Sequence, residues 1–379
     1  MSSHRNPCLV LFHVVLLSLL PLKITCSART QAEALVQWKN SLSFSPPSLN
    51  SWSLSNLNNL CNWTSITCDG TGTVSEINLS NANMSGSIAQ FNFTPFANLT
   101  RLDLIKSGME GPIPSAIGTL SKLLVLDLSN NSFEGNIPSE IGRLAELQYL
   151  SLFNNNLNGT IPSQVSNLQK IPPALISNWT NLISLELQNN LFTGRIPPEI
   201  GLLTKLHLLF LYENQLSGPI PRTIWSLSNL TGLQLFYNEL SGTIPPEVGN
   251  MTSLESLDLN TNLLHGELPD SISNLTNLKF ISLFTNSFSG SIPRDFGKYS
   301  PNLIYWLCSS NLTVIGNNFT GSLPACLRNC TRLRRVRFDG NQFTGDITNA
   351  FGVYPDLDFI TLSDNKFTGE ISPEWGDCQ

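Results

Sequence analysis

Apolar and polar positions recur along the chain in one fixed phrase. In Leu126-Asp-Leu128-Ser-Asn-Asn131-Ser-Phe133-Glu-Gly135-Asn-Ile137-Pro138 the Leu-x-Leu alternation predicts a short strand whose leucines turn inward. An Asn follows, then a single apolar residue, a Gly and Ile-Pro. The glycine returns at Gly86, Gly111, Gly135, Gly159, Gly194, Gly218, Gly242, Gly266, Gly290, Gly321, Gly345 and Gly369. The steps are 25, 24, 24, 35, 24, 24, 24, 24, 31, 24 and 24 residues, so the phrase predicts about twelve coils of a 24-residue period. One coil cannot bury its own leucines, and the coils must therefore stack into a solenoid.

Each position of the phrase has a physical task. The Asn recurs at 131, 155, 190, 214, 238, 262, 286, 317, 341 and 365. Its amide both donates and accepts, so stacked copies predict a ladder that satisfies turn backbone groups otherwise buried without partners. The apolar residue after it plugs the core, the glycine permits a tight bend, and Ile-Pro ends the segment in extended conformation. Ala82 and Ser107 replace the Asn in the first two copies, which predicts a less regular start. Two stretches break the period, near residues 163–181 and 294–311. The first carries Ile171-Pro172-Pro173 without a strand of its own, so each break is either a bulging loop or the scar of a lost repeat piece.

The ends differ from the repeats. Residues 1–28 have the form of a secretion signal: Arg5, an apolar run from Leu9 to Leu20, and small Cys26 and Ala28 ahead of a cut before Arg29. An uncleaved anchor is the alternative. No later run reaches about 18 apolar residues, which predicts no membrane crossing after the signal. Cys378 falls 48 residues, two full periods, after Cys330, where a thirteenth coil would begin, and the pattern predicts no C-terminal cap.

Composition narrows the chemistry. The chain is 41% hydrophobic and 13% charged, with a formal charge of −6. Losing Arg5 and Lys23 with the signal leaves 19 basic against 27 acidic residues, or −8, without a basic run. Nucleic acid and anionic membrane surfaces are therefore poor partners. Of four histidines, His4 and His13 lie in the signal, and His207 and His265 are 58 residues apart, which argues against a metal site or histidine catalysis. Fourteen Asn-x-Ser/Thr sites fit a secreted glycoprotein; Asn62, Asn98, Asn178, Asn229, Asn250 and Asn274 are the best acceptors, whereas Asn130, Asn158 and Asn318 belong to the repeat phrase itself.

The unit LxxLxLxxNxLxGxIPxxIGxLxx resembles the plant-type leucine-rich repeat, an α/β repeat solenoid, over residues 74–379. Residues 29–73 resemble that family's helical N-terminal cap, through Ala34, Leu35, Trp38 and Leu42 on one helix face, Leu49-Asn-Ser-Trp52, and Cys61-Asn-Trp63-Thr-Ser-Ile66-Thr-Cys68. The family usually has Gly where Ser65 stands. The resemblance implies a disulfide between Cys61 and Cys68, sealing the exposed core end. Among Cys308, Cys326, Cys330 and Cys378 three pairings are open; two coil spacings separate Cys330 from Cys378, so Cys308 with Cys326 or Cys330 fits better. A zinc site lacks its ligand spacing.

The whole pattern is similar to ectodomains of plant receptor-like kinases and receptor-like proteins, which implies recognition of a peptide or a partner ectodomain, with a co-receptor, at the cell surface or in the apoplast. Outward strand positions build the concave face. Phe153, Tyr212, Phe236 and Phe284 follow the second strand Leu in four coils and could hold a ligand as an aromatic column, or simply pack on their neighbours. In Leu333-Arg-Arg335-Val336-Arg337-Phe338 the apolar residues face inward, so Arg335 and Arg337 project together. The pair resembles the Arg-x-Arg with which receptors of this family hold a peptide's terminal carboxylate; a structural pair with Asp339 is the alternative. A second function is a secreted inhibitor of a cell-wall-degrading enzyme, similar to polygalacturonase-inhibiting proteins. No cofactor is implied, and the repeats account for nearly every Ser, Asp and Glu without a catalytic pocket.

Overall fold

The computed structural model describes residues 28–163, 179–296, 311–323, 327–328, 335–354 and 357–371. Residues 28–41 form a helix that buries Ala32, Leu35 and Trp38. The Trp38 Nε1 donates to the Ser87 carbonyl at 3.0 Å and its ring meets Phe91 edge-on, which ties the cap to the first coil. Trp52 stacks on Trp63, and Cys61 is bonded to Cys68 with Cα atoms 5.4 Å apart. Ser65 sits at φ +68°, so the family's usual glycine there has a backbone reason: a side chain in left-handed conformation is strained. The cap ends in the strand Ile66–Cys68, which pairs antiparallel with Val74–Asn78 and so closes the edge of the main sheet.

From Val74–Asn78 onward the Leu-x-Leu strands stack in parallel. Arg101–Asp103, Val125–Asp127, Tyr149–Ser151, Ser184–Glu186, Leu208–Phe210, Gly232–Gln234, Ser256–Asp258 and Phe280–Ser282 follow in chain order. Asn311–Thr313, Arg335–Arg337 and Phe359–Thr361 continue as a three-stranded sheet. This is the concave sheet. Across the core stands a second parallel sheet of twelve short strands, from Gly86–Ser87 to Lys366–Thr368, built from the segment between the ladder Asn and the Gly. Short 3-10 turns such as Ser139–Arg143, Pro198–Leu202 and Pro246–Asn250 return the chain after Ile-Pro. The α-character of the repeat is thus reduced to 3-10 turns.

The core is one continuous column of Leu, Ile and Phe. Leu126, Leu128, Phe133, Leu150, Leu152 and Leu157 are all fully buried, as are their counterparts in the following coils through Leu257, Leu259 and Leu264. The polar ladder runs beside it. Asn262 shows the pattern: its Oδ1 accepts from the Leu240 N–H at 3.0 Å, while its Nδ2 donates to the carbonyls of Leu235, Leu259 and Asn260 at 3.0–3.1 Å. Where the Asn is absent, Ser107 donates its hydroxyl to the Leu104 carbonyl at 2.7 Å and its backbone N–H to Asn131 Oδ1.

The long steps add no coil. Ser151 pairs directly with Glu186, and the Leu157 N–H reaches Asn190 Oδ1 at 3.1 Å, so the 35-residue step closes a single turn of the solenoid. The 31-residue step behaves alike, with the Phe288 N–H on Asn317 Oδ1 at 3.0 Å. Ile171-Pro172-Pro173, Cys308, Cys326, Cys330, Cys378 and the signal lie outside the described residues. In the coil of Phe359–Thr361, Ile360, Leu362 and Phe367 are half-buried, unlike Leu257, Leu259 and Leu264 in mid-stack.

Candidate functional site

The concave face is a grid. Along each strand, outward positions alternate with buried leucines, and the parallel register lines up equivalent positions of successive coils. Arg335–Arg337 follows this rule: Val336 and Phe338 are fully buried, and the strand pairs Arg335 with Asn311 and Phe359, and Arg337 with Thr313 and Thr361. Both arginines therefore occupy outward register positions; the Arg335 side chain lies outside the described residues. The Arg337 side chain is 46% exposed, with its Nε 3.7 Å from Asp339 Oδ1, an oxygen that already accepts the Thr361 hydroxyl at 2.5 Å. An ion pair this long and this wet contributes at most about 1 kcal/mol. The fork of Arg337 is thus left largely available.

The aromatic column is shorter than the sequence predicts. Tyr212 and Phe236 do stack on successive coils, centroids 4.2 Å apart and planes 10° from parallel. Gln188 stands between Phe153 and Tyr212, and Asn260 between Phe236 and Phe284, so Phe153 and Phe284 are separated from the pair. All four rings are half-buried. The residue before the ladder Asn is left-handed in nearly every coil, and here it is Glu213, Tyr237, Thr261 and Thr285 in four successive coils, where earlier coils use Asn130, Asn154 and Asn189. Threonine in that conformation is strained, unlike asparagine. Glu213, Tyr237 and Thr261 line an open cleft of about 440 Å³ together with Asn214, Asn238 and Glu239, on the flank of the Tyr212–Phe236 stack.

A carboxylate cluster on the same face escapes sequence reasoning. The outward position between the two strand leucines is Asp103, Asp127, Ser151 and Glu186 in four successive coils. Arg101 pairs with Asp103 at 2.9 Å. Glu186 Oε2 accepts Tyr149 Oη at 3.2 Å and its Oε1 accepts Ser184 Oγ at 3.0 Å, while Asp127 Oδ1 accepts Ser129 Oγ at 2.6 Å. Among the described residues, no Lys or Arg pairs with Asp127 or Glu186. Burial pushes both carboxyls above the ordinary range, outweighing the hydroxyl hydrogen bonds that favour their charged forms. Burial chiefly, then the two carboxylates, also push the Tyr149 phenol up. The signal was present in the repeat phase: residues 24 or 35 apart become neighbours once the coils are stacked.

The sign of the Asp127 effect gives a test. A carboxyl with a raised folded pKa costs stability once pH exceeds its unfolded value of 3.8, and the cost is complete above the folded pKa. Asp127→Asn, which can keep the Ser129 contact, is expected to melt higher than wild type at pH 7. In a calorimetric series that difference should close as pH falls toward 3.8. A variant less stable at pH 7 would show that Asp127 is ionised at no cost.

Sequence profiles agree with the stacked geometry. The profile described as Leucine rich repeat N-terminal domain matches residues 28–69, and that described as Leucine Rich Repeat matches 122–144, 146–168, 181–203, 229–251 and 253–275. The chain is a leucine-rich-repeat solenoid with a leucine-rich-repeat N-terminal cap. This leucine-rich-repeat chain is 38% identical over 124 residues to the leucine-rich repeat receptor-like serine/threonine-protein kinase RGI4 of Arabidopsis thaliana, covering 32% of this chain and 11% of that one. Its similarity to such kinases runs through the repeats. The solved plant peptide hormone receptor RGFR1, in complex with RGF2, is 30% identical with a TM-score of 0.62, over 78% of this chain and 48% of that one. PEPR1 with AtPEP1 is 28% identical with a TM-score of 0.66, over 91% and 53%. This chain thus spans about a tenth of the curated kinase and about half of each solved receptor chain. No helix among the described residues is long and apolar enough to cross a membrane. Among the sequons, Asn62, Asn229, Asn250 and Asn274 are exposed; Asn98 is half-buried and accepts Lys122 Nζ at 2.7 Å, and Asn178 lies outside the described residues.

Proposed function

We propose that this leucine-rich-repeat chain is an extracellular recognition module that binds a peptide along its concave face and holds the peptide's C-terminal carboxylate on Arg335 and Arg337. The observation that carries it is the strand Arg335–Arg337, with Val336 buried between two outward arginines and Arg337 46% exposed in an acidic protein. Two guanidinium forks match one carboxylate bidentately. The likeness to RGFR1 and PEPR1, solved with RGF2 and AtPEP1, supports a peptide over other ligand classes. Co-receptor engagement belongs to the same reading. The chain performs no chemistry of its own in this role.

An array of synthetic peptides tethered at the N-terminus and ending in a free carboxylate tests it. Purified protein should bind a subset of the array, and no polygalacturonase should be inhibited by it. Inhibition of such an enzyme without peptide binding would transfer the function to the inhibitor class.

A further inference from the structure

Outside the arginine pair, the feature of the concave face least explained by folding is the region around Glu186. Asp127 and Glu186 carry carboxylates without cationic partners among the described residues. Gln188, two residues after Glu186 and on the same side of the strand, is 5% exposed, yet its Oε1 has no hydrogen-bond partner among the described residues. A buried amide oxygen left unpaired is costly, and natural structures keep few of them. The register that pairs Glu186 with Phe210 places Gln188 beside Tyr212 at the same repeat position of the next coil, and both Gln188 and Glu186 act on the Tyr212 phenol, so the three groups converge. Tyr212 in turn stacks on Phe236 at 4.2 Å.

A carboxylate, an acceptor lacking a donor and a half-exposed aromatic face call for one chemistry. A guanidinium can donate to Glu186 and to Gln188 Oε1 at once while its plane lies on a ring, where an ammonium would satisfy fewer of these partners. We infer that Glu186, Gln188 and Tyr212, backed by Asp127, form a subsite for an arginine side chain of the bound peptide. The inference rests on the peptide-binding reading and deepens it.

Geometry then fixes where that arginine falls. From Glu186 the register steps to Phe210, Gln234, Asp258 and Ser282, and then across the coils of Thr313 and Arg337. Six steps at about 4.8 Å span roughly 29 Å. An extended chain covers about 3.3–3.6 Å per residue, so the arginine lies about eight or nine residues before the C-terminal carboxylate. The ligand is a dipolar peptide, cationic toward the cap and anionic at its end.

The test uses a synthetic library of random free-acid fourteen-residue peptides, selected in parallel on wild type, on Asp127→Asn/Glu186→Gln and on Arg335→Ala/Arg337→Ala. Wild type should enrich Arg about eight or nine residues from the C-terminus, and the carboxyl variant should lose that enrichment, with about a ten- to hundredfold weaker affinity for the winning peptides. The arginine variant should keep the preference for Arg while losing the fixed spacing. No Arg enrichment on wild type, or enrichment that survives Asp127→Asn/Glu186→Gln, overturns the subsite. Glu186→Gln alone, at a half-buried position, carries the test if the double variant does not fold. Should wild-type winners prefer Arg but bind equally well as amides, the carboxylate reading fails while the subsite stands.

Discussion

Asn262→Ala is expected to destabilise the protein by about 3–5 kcal/mol. The substitution leaves the Leu240 N–H without its acceptor and removes one of two donors from each of the Leu235, Leu259 and Asn260 carbonyls, which keep Asn238 Nδ2, Asn286 Nδ2 and the Tyr237 N–H, in a site where Asn262 is 7% exposed. The unpaired N–H costs about 1–3 kcal/mol and each of the three lost hydrogen bonds about 0.5–1.5 kcal/mol, and water entering the space vacated by the side chain recovers part of it. Asn156, exposed on the opposite sheet, is the matched control, and its Ala variant should change stability by no more than about 0.5 kcal/mol. Guanidinium unfolding followed by circular dichroism distinguishes the two. Because coils communicate only with neighbours, the Asn262 variant should also broaden the transition or split it around that coil. Equal midpoints for the two variants would mean that the ladder is decorative.

The ladder was legible because its logic is local: Asn stands at one fixed place in the phrase, and burial at that place demands a group that both donates and accepts. The cap was legible for the same reason, through Trp38, Trp52, Trp63 and the cysteine pair. The second sheet was not. Segments such as Ser132–Gly135 and Leu191–Gly194 are four residues long and become strands only by bonding the coils above and below, an interaction no single segment encodes. The aromatic column is shorter than the shared repeat position of Phe153, Tyr212, Phe236 and Phe284 suggests, because Gln188 and Asn260 occupy that position in the intervening coils. The Asp127–Glu186 cluster was missed for the converse reason. Its members are 59 residues apart and look like ordinary solvated acids until the register brings their strands within two coils.

Arg335→Ala/Arg337→Ala is expected to weaken binding of a free-acid peptide by about 10- to 150-fold, the equivalent of roughly 1.5–3 kcal/mol for a lost charge-assisted contact. Stability should barely move. The Arg337 side chain is 46% exposed and its approach to Asp339 is long, so little folding energy depends on it. A variant that unfolds would assign the arginines to the fold.

The most direct measurement is a two-by-two calorimetric titration of one array-selected peptide, as free acid and as C-terminal amide, against wild type and Arg335→Ala/Arg337→Ala. Terminal-carboxylate capture predicts tight binding only for the free acid on wild type, with the other three combinations weaker by a similar factor, because either change alone removes the same contact. Independent, additive losses from amidation and from the double substitution, or an amide that binds wild type as tightly as the acid, would contradict it.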